Sequence, residues 1–138
     1  MTLKIVSIDK LRAYPPRISE FTSRFWSALD KGILETTRCD ACERFSFPPK
    51  PICPHCWSTT ISWAGLIGTG RLYSQTVIHV PPAVFKQESP YRVGIVDLDQ
   101  GVRLATKILS DDPLPLDSAV QLLVLRYRDG PLFAAEAC

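Results

Sequence analysis

The chain has 138 residues and a mass of 15.4 kDa, the size of one domain or of a small domain with an appendage, which excludes a large multidomain enzyme. Hydrophobic residues make up 46% and charged residues 22%, as in a folded soluble protein. The net charge of +2 and the pI of about 8.3 fall short of a typical nucleic-acid-binding domain. Without a membrane-span-length apolar run or a signal-like start, we expect a cytoplasmic protein.

The first 33 residues are predicted to form an N-terminal helical arm. Residues 1–17 are mixed in character and end in Pro15-Pro16, which is typical of an arm or a short helix before a turn. From Ile18 to Lys31 apolar residues recur every four positions, and Gly32 follows where a helix C-terminal cap belongs. The apolar face is large, and either the chain's own body or a partner subunit covers it. The predicted partner-interface residues are Phe21, Phe25, Trp26 and Leu29.

Residues 34–65 are predicted to form a zinc ribbon. Two CxxC pairs, Cys39/Cys42 and Cys53/Cys56, are separated by ten residues, and each tight turn points two sulfurs at one tetrahedral ion. Disulfides are disfavoured in a reducing compartment, and a redox CxxC is usually a single motif in a βαβ unit. An iron site is the remaining alternative. Four thiolates leave no open coordination position, so we expect structural rather than catalytic Zn2+.

Two further residues near this chemistry are expected to stay outside it. His55 lies between the ligands of the second pair, but four sulfurs already complete the tetrahedron, so it is interpreted as a solvent-facing knuckle residue. Cys138 is the last residue and stands alone in the sequence, with no neighbouring histidine or helix start to activate it. We expect no role for it.

Residues 66–138 are predicted to form a five-stranded Greek-key barrel of the OB type. Gly65, Gly68 and Gly70 are expected to let the chain bend into the barrel. Asp99-Gln100-Gly101 predicts a short hairpin connection, and the longest connection is expected between the third and fourth strands. A five-stranded sandwich is the alternative. The predicted strands are Arg71–Val80, Tyr91–Leu98, Val102–Leu109, Ala119–Tyr127 and Leu132–Ala137.

The sequence offers no credible catalytic set. There are two histidines, His55 and His79, and no serine or cysteine has a plausible base nearby. The glycines at 65, 68 and 70 precede a strand rather than a helix, which excludes a phosphate loop or a dinucleotide fingerprint. We therefore predict no catalytic residues.

The order of these parts resembles a known family. The chain is similar to the acyl-CoA-associated family of domain-of-unknown-function proteins, which join a helical arm and a rubredoxin-like zinc ribbon to a C-terminal OB-fold. Glycine commonly follows the second cysteine of each knuckle in that family, whereas Glu43 and Trp57 stand there in this chain. The matching segments are Phe25-Trp26 with Gly32, RCDAC at 38–42, FPPKPICPHC at 47–56, GTGRLYSQTVIH at 68–79, PYRVGIVDLDQGVRLATKI at 90–108 and VQLLVLRYRDG at 120–130.

The resemblance implies a zinc-binding accessory subunit without catalysis of its own. Such proteins assemble with thiolase-superfamily enzymes, or with hydratase-like or aldolase-like partners, that act on acyl-CoA thioesters in lipid, steroid, aromatic or polyketide metabolism. The implied assembly is a hetero-oligomer that performs acyl transfer or carbon–carbon bond cleavage and supports binding of the CoA ester. The cations available for CoA are Arg71, Arg92, Arg103, Lys107, Lys50 and Lys86, and none of them is assigned as a CoA site.

Two other functions are compatible with the pattern. OB barrels often bind single-stranded nucleic acid through strand aromatics beside a basic groove, for which Tyr73 and Tyr91 with Arg71, Arg92 and Arg103 are the best material. The half of the chain that contains the predicted barrel has a slightly negative net charge, which argues against this function. A free-standing acyl-CoA binder or thioesterase is the second alternative.

Overall fold

The computed structural model describes residues 2–138, and strands dominate it. The chain runs through a short strand, one α-helix, a three-stranded sheet and a closed barrel. The element bounds are β1 Ile5–Ser7, α1 Ser23–Asp30, β2 Glu35–Cys39, β3 Phe45–Ser46, β4 Ile61–Gly65, β5 Thr69–Ile78, a 3-10 helix Ala83–Glu88, β6 Tyr91–Leu98, β7 Arg103–Ile108, β8 Ala119–Tyr127 and β9 Gly130–Ala137.

Five strands close the barrel in the order β5-β6-β7-β9-β8, and β8 returns to β5. The β7–β9 pairing is parallel and the other barrel pairings are antiparallel. This connectivity confirms the predicted OB-type Greek-key barrel and excludes the sandwich. Gly70 is required where β5 crosses β6, because a Cβ there would overlap the carbonyl oxygen of Asp97.

Three predictions about the chain path are corrected. The arm contains a strand, β1, which pairs in parallel with β8 and places Ile5 opposite Val124. The helix begins at Ser23 rather than Ile18, because Ser19 and Thr22 bond to each other's side chains and backbone amides in a preceding turn. The longest barrel connection is residues 79–90, between β5 and β6, because it accommodates the 3-10 helix.

The C-terminal end of the helix is capped by Gly32, as predicted. Gly32 has a φ of +81°, the left-handed conformation of a C-terminal cap. The Ile33 N–H donates to the Ala28 carbonyl and the Gly32 N–H donates to the Leu29 carbonyl, both at 2.9 Å. This is the hydrogen-bond pattern of a Schellman motif.

One apolar core joins the helix to the barrel. Phe25 and Leu29 are 3% and 0% exposed, in the same cluster as barrel residues such as Leu72 and Leu122. The ring centre of Phe25 lies 5.6 Å from that of Phe47 in the ribbon and 6.4 Å from that of Phe133 in β9. Three aromatic rings therefore fix the helix, the ribbon and the barrel against one another.

Candidate metal centre and surface sites

Two similar turns of the three-stranded sheet form a cluster of four cysteines. In the first turn the Cys42 N–H donates to Cys39 Sγ at 3.4 Å, and in the second the His55 N–H donates to Cys53 Sγ at 3.3 Å. Each turn closes with a 2.9 Å backbone bond, from the Glu43 N–H to the Cys39 carbonyl and from the Trp57 N–H to the Cys53 carbonyl. Both turns thus direct a backbone N–H at the first sulfur of the pair and close with the same backbone bond.

The sulfur positions fit a tetrahedral metal ion. All four Sγ atoms lie within 4.8 Å of one another, with 3.5 Å between Cys39 and Cys56 and 3.6 Å between Cys42 and Cys53. A Zn–S bond of about 2.3 Å gives sulfur–sulfur separations of about 3.8 Å in a regular tetrahedron. Small side-chain adjustments suffice for Zn2+, and a fully sulfur-coordinated ion has no position for substrate or water.

Backbone amides stabilise negative charge on part of this cluster. The N–H of Cys42 is the main cause that lowers the pKa of Cys39 to about 6. Burial raises the pKa of Cys53, but the N–H groups of Cys56 and His55 outweigh it and the pKa is lowered. The N–H of Ser58 lowers the pKa of Cys56, yet the neighbouring thiols and burial raise it to about 11 overall. The lowered pKa values of Cys39 and Cys53 therefore favour the thiolate form that a metal ion binds.

The residues after each second cysteine adopt the conformation that favours glycine. Glu43 has a φ of 67° and Trp57 a φ of 65°, so both side chains occupy left-handed backbone positions. Each turn still keeps its amide-to-sulfur bond and its closing backbone bond. The two departures from the family pattern therefore strain the backbone locally without breaking the knuckles.

The structure corrects half of the predicted partner face. Phe25 and Leu29 are buried in the chain's own core, so they are not available to a partner. Phe21 is half-buried, with its ring centre 5.5 Å from that of Trp63. Trp26 is also half-buried and packs edge-on against Phe25. Of the four predicted interface residues, only Phe21 and Trp26 keep exposed surface that a partner could contact.

Three of the six candidate cations are engaged within the chain. Arg103 donates to the Asp97 carboxylate at 2.6 and 3.0 Å, and its guanidinium lies 3.9 Å from the centre of the Tyr73 ring. These hydrogen bonds lower the pKa of Asp97. Arg71 donates to a backbone carbonyl at 2.9 Å, and Lys107 pairs with Glu88 at 3.1 Å. The structure does not gather these side chains into one basic groove.

The exposed residues near the metal cluster include one that sequence reasoning underrated. His55 is exposed, in agreement with its predicted solvent-facing place in the knuckle, and Cys138 is exposed as well. Trp57, treated only as a departure from a family pattern, is 79% exposed, and Ile52 in the same loop is 45% exposed. The sequence signal for this residue was a tryptophan at a position where the family that the chain resembles commonly has glycine.

Across residues 2–138, none of the helices has the length and apolar character that crossing a bilayer requires.

Comparison with protein-family models matches two consecutive parts of the chain. Residues 26–62 match the rubredoxin-like zinc ribbon domain of ChsH2, and residues 63–125 match the ChsH2 C-terminal OB-fold domain. These matches and the four close sulfurs identify the metal centre as a structural zinc site.

Three similar proteins bear on function. A probable enoyl-CoA hydratase alpha subunit of Thermomonospora curvata is 37% identical over 71% of this chain, which spans only 30% of that protein's length. A DUF35 domain-containing scaffold protein of Methanothermobacter thermautotrophicus is 30% identical over 78% of this chain and 84% of its own. The solved structure of an Ltp2-ChsH2(DUF35) aldolase includes a chain that matches with a TM-score of 0.77 and 32% identity, over 89% of this chain and 98% of that one.

Proposed function

We propose that this chain, which belongs to the DUF35 family of scaffold proteins, is a non-catalytic subunit that assembles with an enzyme acting on acyl-CoA thioesters. The partner is of the thiolase, hydratase or aldolase type, and the complex binds the CoA ester. The zinc ribbon supplies a rigid contact region, and the reacting groups belong to the partner.

The names of the relatives support this kind of partner. One similar protein is named as a scaffold, one as a subunit of a probable enoyl-CoA hydratase, and one is part of an aldolase. All three descriptions concern assemblies or their parts, and two of them name an enzyme. The thiolase type rests on the resemblance of the sequence segments alone.

Trp57 is the single observation that carries the proposal. Its side chain is 79% exposed and its backbone has a φ of 65°, so the residue adds both solvent-exposed apolar area and backbone strain. The strained backbone costs stability in the isolated chain, and the exposed apolar ring is an aggregation liability. Tryptophan is enriched among the residues that dominate protein–protein binding energy. A partner pocket that covers this ring offsets both costs.

The zinc site has a mechanical role in this proposal. The bound sulfurs fix the second turn, whose Trp57 N–H donates to the Cys53 carbonyl. Because a closed four-sulfur site leaves the ion no open position, the ion supplies shape rather than chemistry. Phe21 and Trp26, the two surface residues that remain of the predicted helix face, form a second contact region.

Co-purification with a matched pair of knuckle variants tests the proposal. Tagged wild-type chain is expressed in its native cell, and the captured partner is identified by mass spectrometry as a thiolase-, hydratase- or aldolase-type enzyme. Trp57→Gly is expected to weaken the affinity by about 30-fold or more, the size of an interface hot spot. Glu43→Gly makes the same backbone change in the other turn and is expected to leave the affinity unchanged.

Three results would overturn the proposal. They are hydrolysis of an acyl-CoA by the purified chain alone, salt-dependent binding of single-stranded oligonucleotides with no acyl-CoA enzyme captured, and equal affinities of the two knuckle variants for the captured enzyme.

A further inference from the structure

A second feature, on the outer surface of the barrel, is separate from the metal centre. A cavity of about 290 Å³ lies between the barrel wall, the N-terminal arm and the 3-10 helix. Tyr14 of the arm, Phe85 of the 3-10 helix and Tyr91 of β6 form its aromatic side, with ring centres 6.5 Å apart for the first pair and 6.1 Å for the second. Leu125 and Leu132 contribute aliphatic surface. These side chains suit a flat apolar group.

The cavity is also lined by a tyrosine whose hydroxyl makes no hydrogen bond to another residue in the described chain, residues 2–138. Tyr127 lines it and is 8% exposed. Burial and the nearby Glu88 carboxylate raise the pKa of Tyr127, so the hydroxyl stays protonated and is a donor. This donor is available to an oxygen on a bound molecule.

A polar groove of about 530 Å³ adjoins this cavity, and the two share Glu88, Tyr91 and Lys107. Lys107 is neutralised by Glu88 at 3.1 Å. Arg92 is the cation of the groove that has no carboxylate partner. Its buried Nε has no hydrogen-bond partner, and its Nη2 makes a single long bond of 3.5 Å to the backbone carbonyl of Asp111. The exposed Asp111 carboxylate is the other charge at this groove. A planar guanidinium with free donors matches a carboxylate.

We propose that this cavity and groove bind a small aromatic carboxylate that carries an oxygen on its ring. The ring lies among Tyr14, Phe85 and Tyr91, the ring oxygen accepts a hydrogen bond from Tyr127, and the carboxylate meets Arg92. This binding goes beyond the scaffold role and is measured on the chain alone. Failure of either proposal therefore leaves the other to be judged on its own experiment.

Binding of matched small molecules to the full zinc-bound chain tests the proposal. The probes are 3-(4-hydroxyphenyl)propanoate, 3-phenylpropanoate without the ring oxygen, and 3-phenylpropylamine with the opposite charge. Titrations followed by amide chemical shifts are expected to give weak, saturable binding of both acids, with shifts confined to residues 13–14, 77, 85–93, 107–111 and 125–133, which line the cavity and the groove. The amine is expected not to bind, and the hydroxylated acid is expected to bind more tightly.

Three variants locate the contacts. Arg92→Met is expected to weaken binding of both acids by about 10-fold or more, as for a lost charge-assisted hydrogen bond. Tyr127→Phe is expected to abolish the difference between the acids and to leave 3-phenylpropanoate unchanged. Arg44→Met removes an exposed guanidinium from the ribbon and serves as the matched control. Equal binding of the acids and the amine, shifts elsewhere on the chain, or full affinity in Arg92→Met would overturn the proposal, and the wild-type measurements decide it even if a variant fails to fold.

Discussion

The ribbon and most of the barrel are built from antiparallel strand pairs, but the interiors of the two parts differ. In the ribbon the buried side chains are mostly small or polar, including Cys39, Cys53, Thr36 and Thr37, and Leu34 at its start is the apolar exception. The barrel buries a continuous set of branched apolar residues on its inner face. These are Leu72, Val96, Leu98, Leu104, Ile108, Val120, Leu122 and Val124.

The difference shows what holds each part together. An apolar interior supplies the barrel with a driving force that scales with the area buried. The ribbon has little of this area, so the free energy of metal binding must take its place. The two parts meet at Phe25, Phe47 and Phe133, whose ring centres lie 5.6–6.4 Å apart. We therefore expect the metal to control the ribbon and its contact with the helix, while the barrel keeps its own fold.

Loss of the metal is expected to have the largest effect. Cys39→Ser removes a buried ligand, and binding free energies of structural zinc in small modules are about 10–16 kcal/mol. We expect zinc to be lost and the amide signals of residues 35–65 to collapse, while signals of the barrel strands persist. Metal analysis and two-dimensional NMR measure the two effects separately.

Cys138→Ser is the matched control, because that thiol is exposed and outside the cluster. It is expected to retain zinc and the complete spectrum. Retention of zinc and an intact ribbon in Cys39→Ser would refute the metal site, and collapse of the barrel in the same variant would refute the division between the two parts.

Truncation of a side chain in the barrel core also tests whether the barrel and the ribbon are stabilised separately. Leu122 is 2% exposed, and Leu122→Ala is expected to lower the free energy of unfolding by about 2–5 kcal/mol. The zinc content of the folded protein is expected to stay the same. Urea denaturation and metal analysis check these outcomes, with Leu116→Ala as the control because Leu116 is 63% exposed. An equal loss of stability in the two variants would contradict the proposed core.

Local patterns were enough to predict most of the barrel and the metal ligands. The short apolar runs Tyr91–Leu98 and Ala119–Tyr127, bounded by turn and link residues, gave both strands with their observed bounds, because such runs are typical of strands. The CxxC spacing gave the ligands because each turn needs only a few consecutive residues to place its sulfurs.

The features that the sequence analysis missed depend on contacts between distant residues. β1 has three residues, too few to show a period, and exists because β8 offers an edge to Ile5–Ser7. The helix pattern indicates that Phe25 and Leu29 must be covered, but it does not indicate whether the cover is a partner or Phe133 of the same chain. The cavity near Phe85 likewise forms only when the arm, the 3-10 helix and the barrel come together.

A smaller effect of opposite sign is expected at the second knuckle. Trp57→Gly relieves a side chain from a φ of 65°, and glycine in this region is favoured by about 1 kcal/mol. We expect the zinc-bound ribbon to become more stable by about this amount, as measured by hydrogen exchange of its amides. Glu43→Gly at a φ of 67° is expected to give a similar gain. Destabilisation by both changes would show that the positive φ carries no strain.

The smallest expected effect concerns the attachment of the arm to the barrel. The Arg12 N–H donates to Asp129 Oδ1 at 2.9 Å, and the Arg12 guanidinium donates to the Asp129 carbonyl at 2.7 Å. The Arg12 backbone N–H is the main cause that lowers the pKa of Asp129. The contribution of a carboxylate with a lowered pKa is fully present above its unfolded-state value, near 3.8, and is lost as the pH falls through the folded-state value.

Asp129→Asn cannot ionise, so the variant isolates this contribution. At pH 7 it is expected to exchange the amide hydrogens of the arm slightly faster than the wild type, and the difference is expected to shrink as the pH falls below about 3.8. Any release of zinc by acid occurs in both proteins and cancels in the comparison. A difference that grows with acidity would have the wrong sign for a carboxylate stabilised in its charged form. Equal exchange of the arm amides at pH 7 would mean that the arm is held to the barrel by the β1–β8 pairing rather than by Asp129.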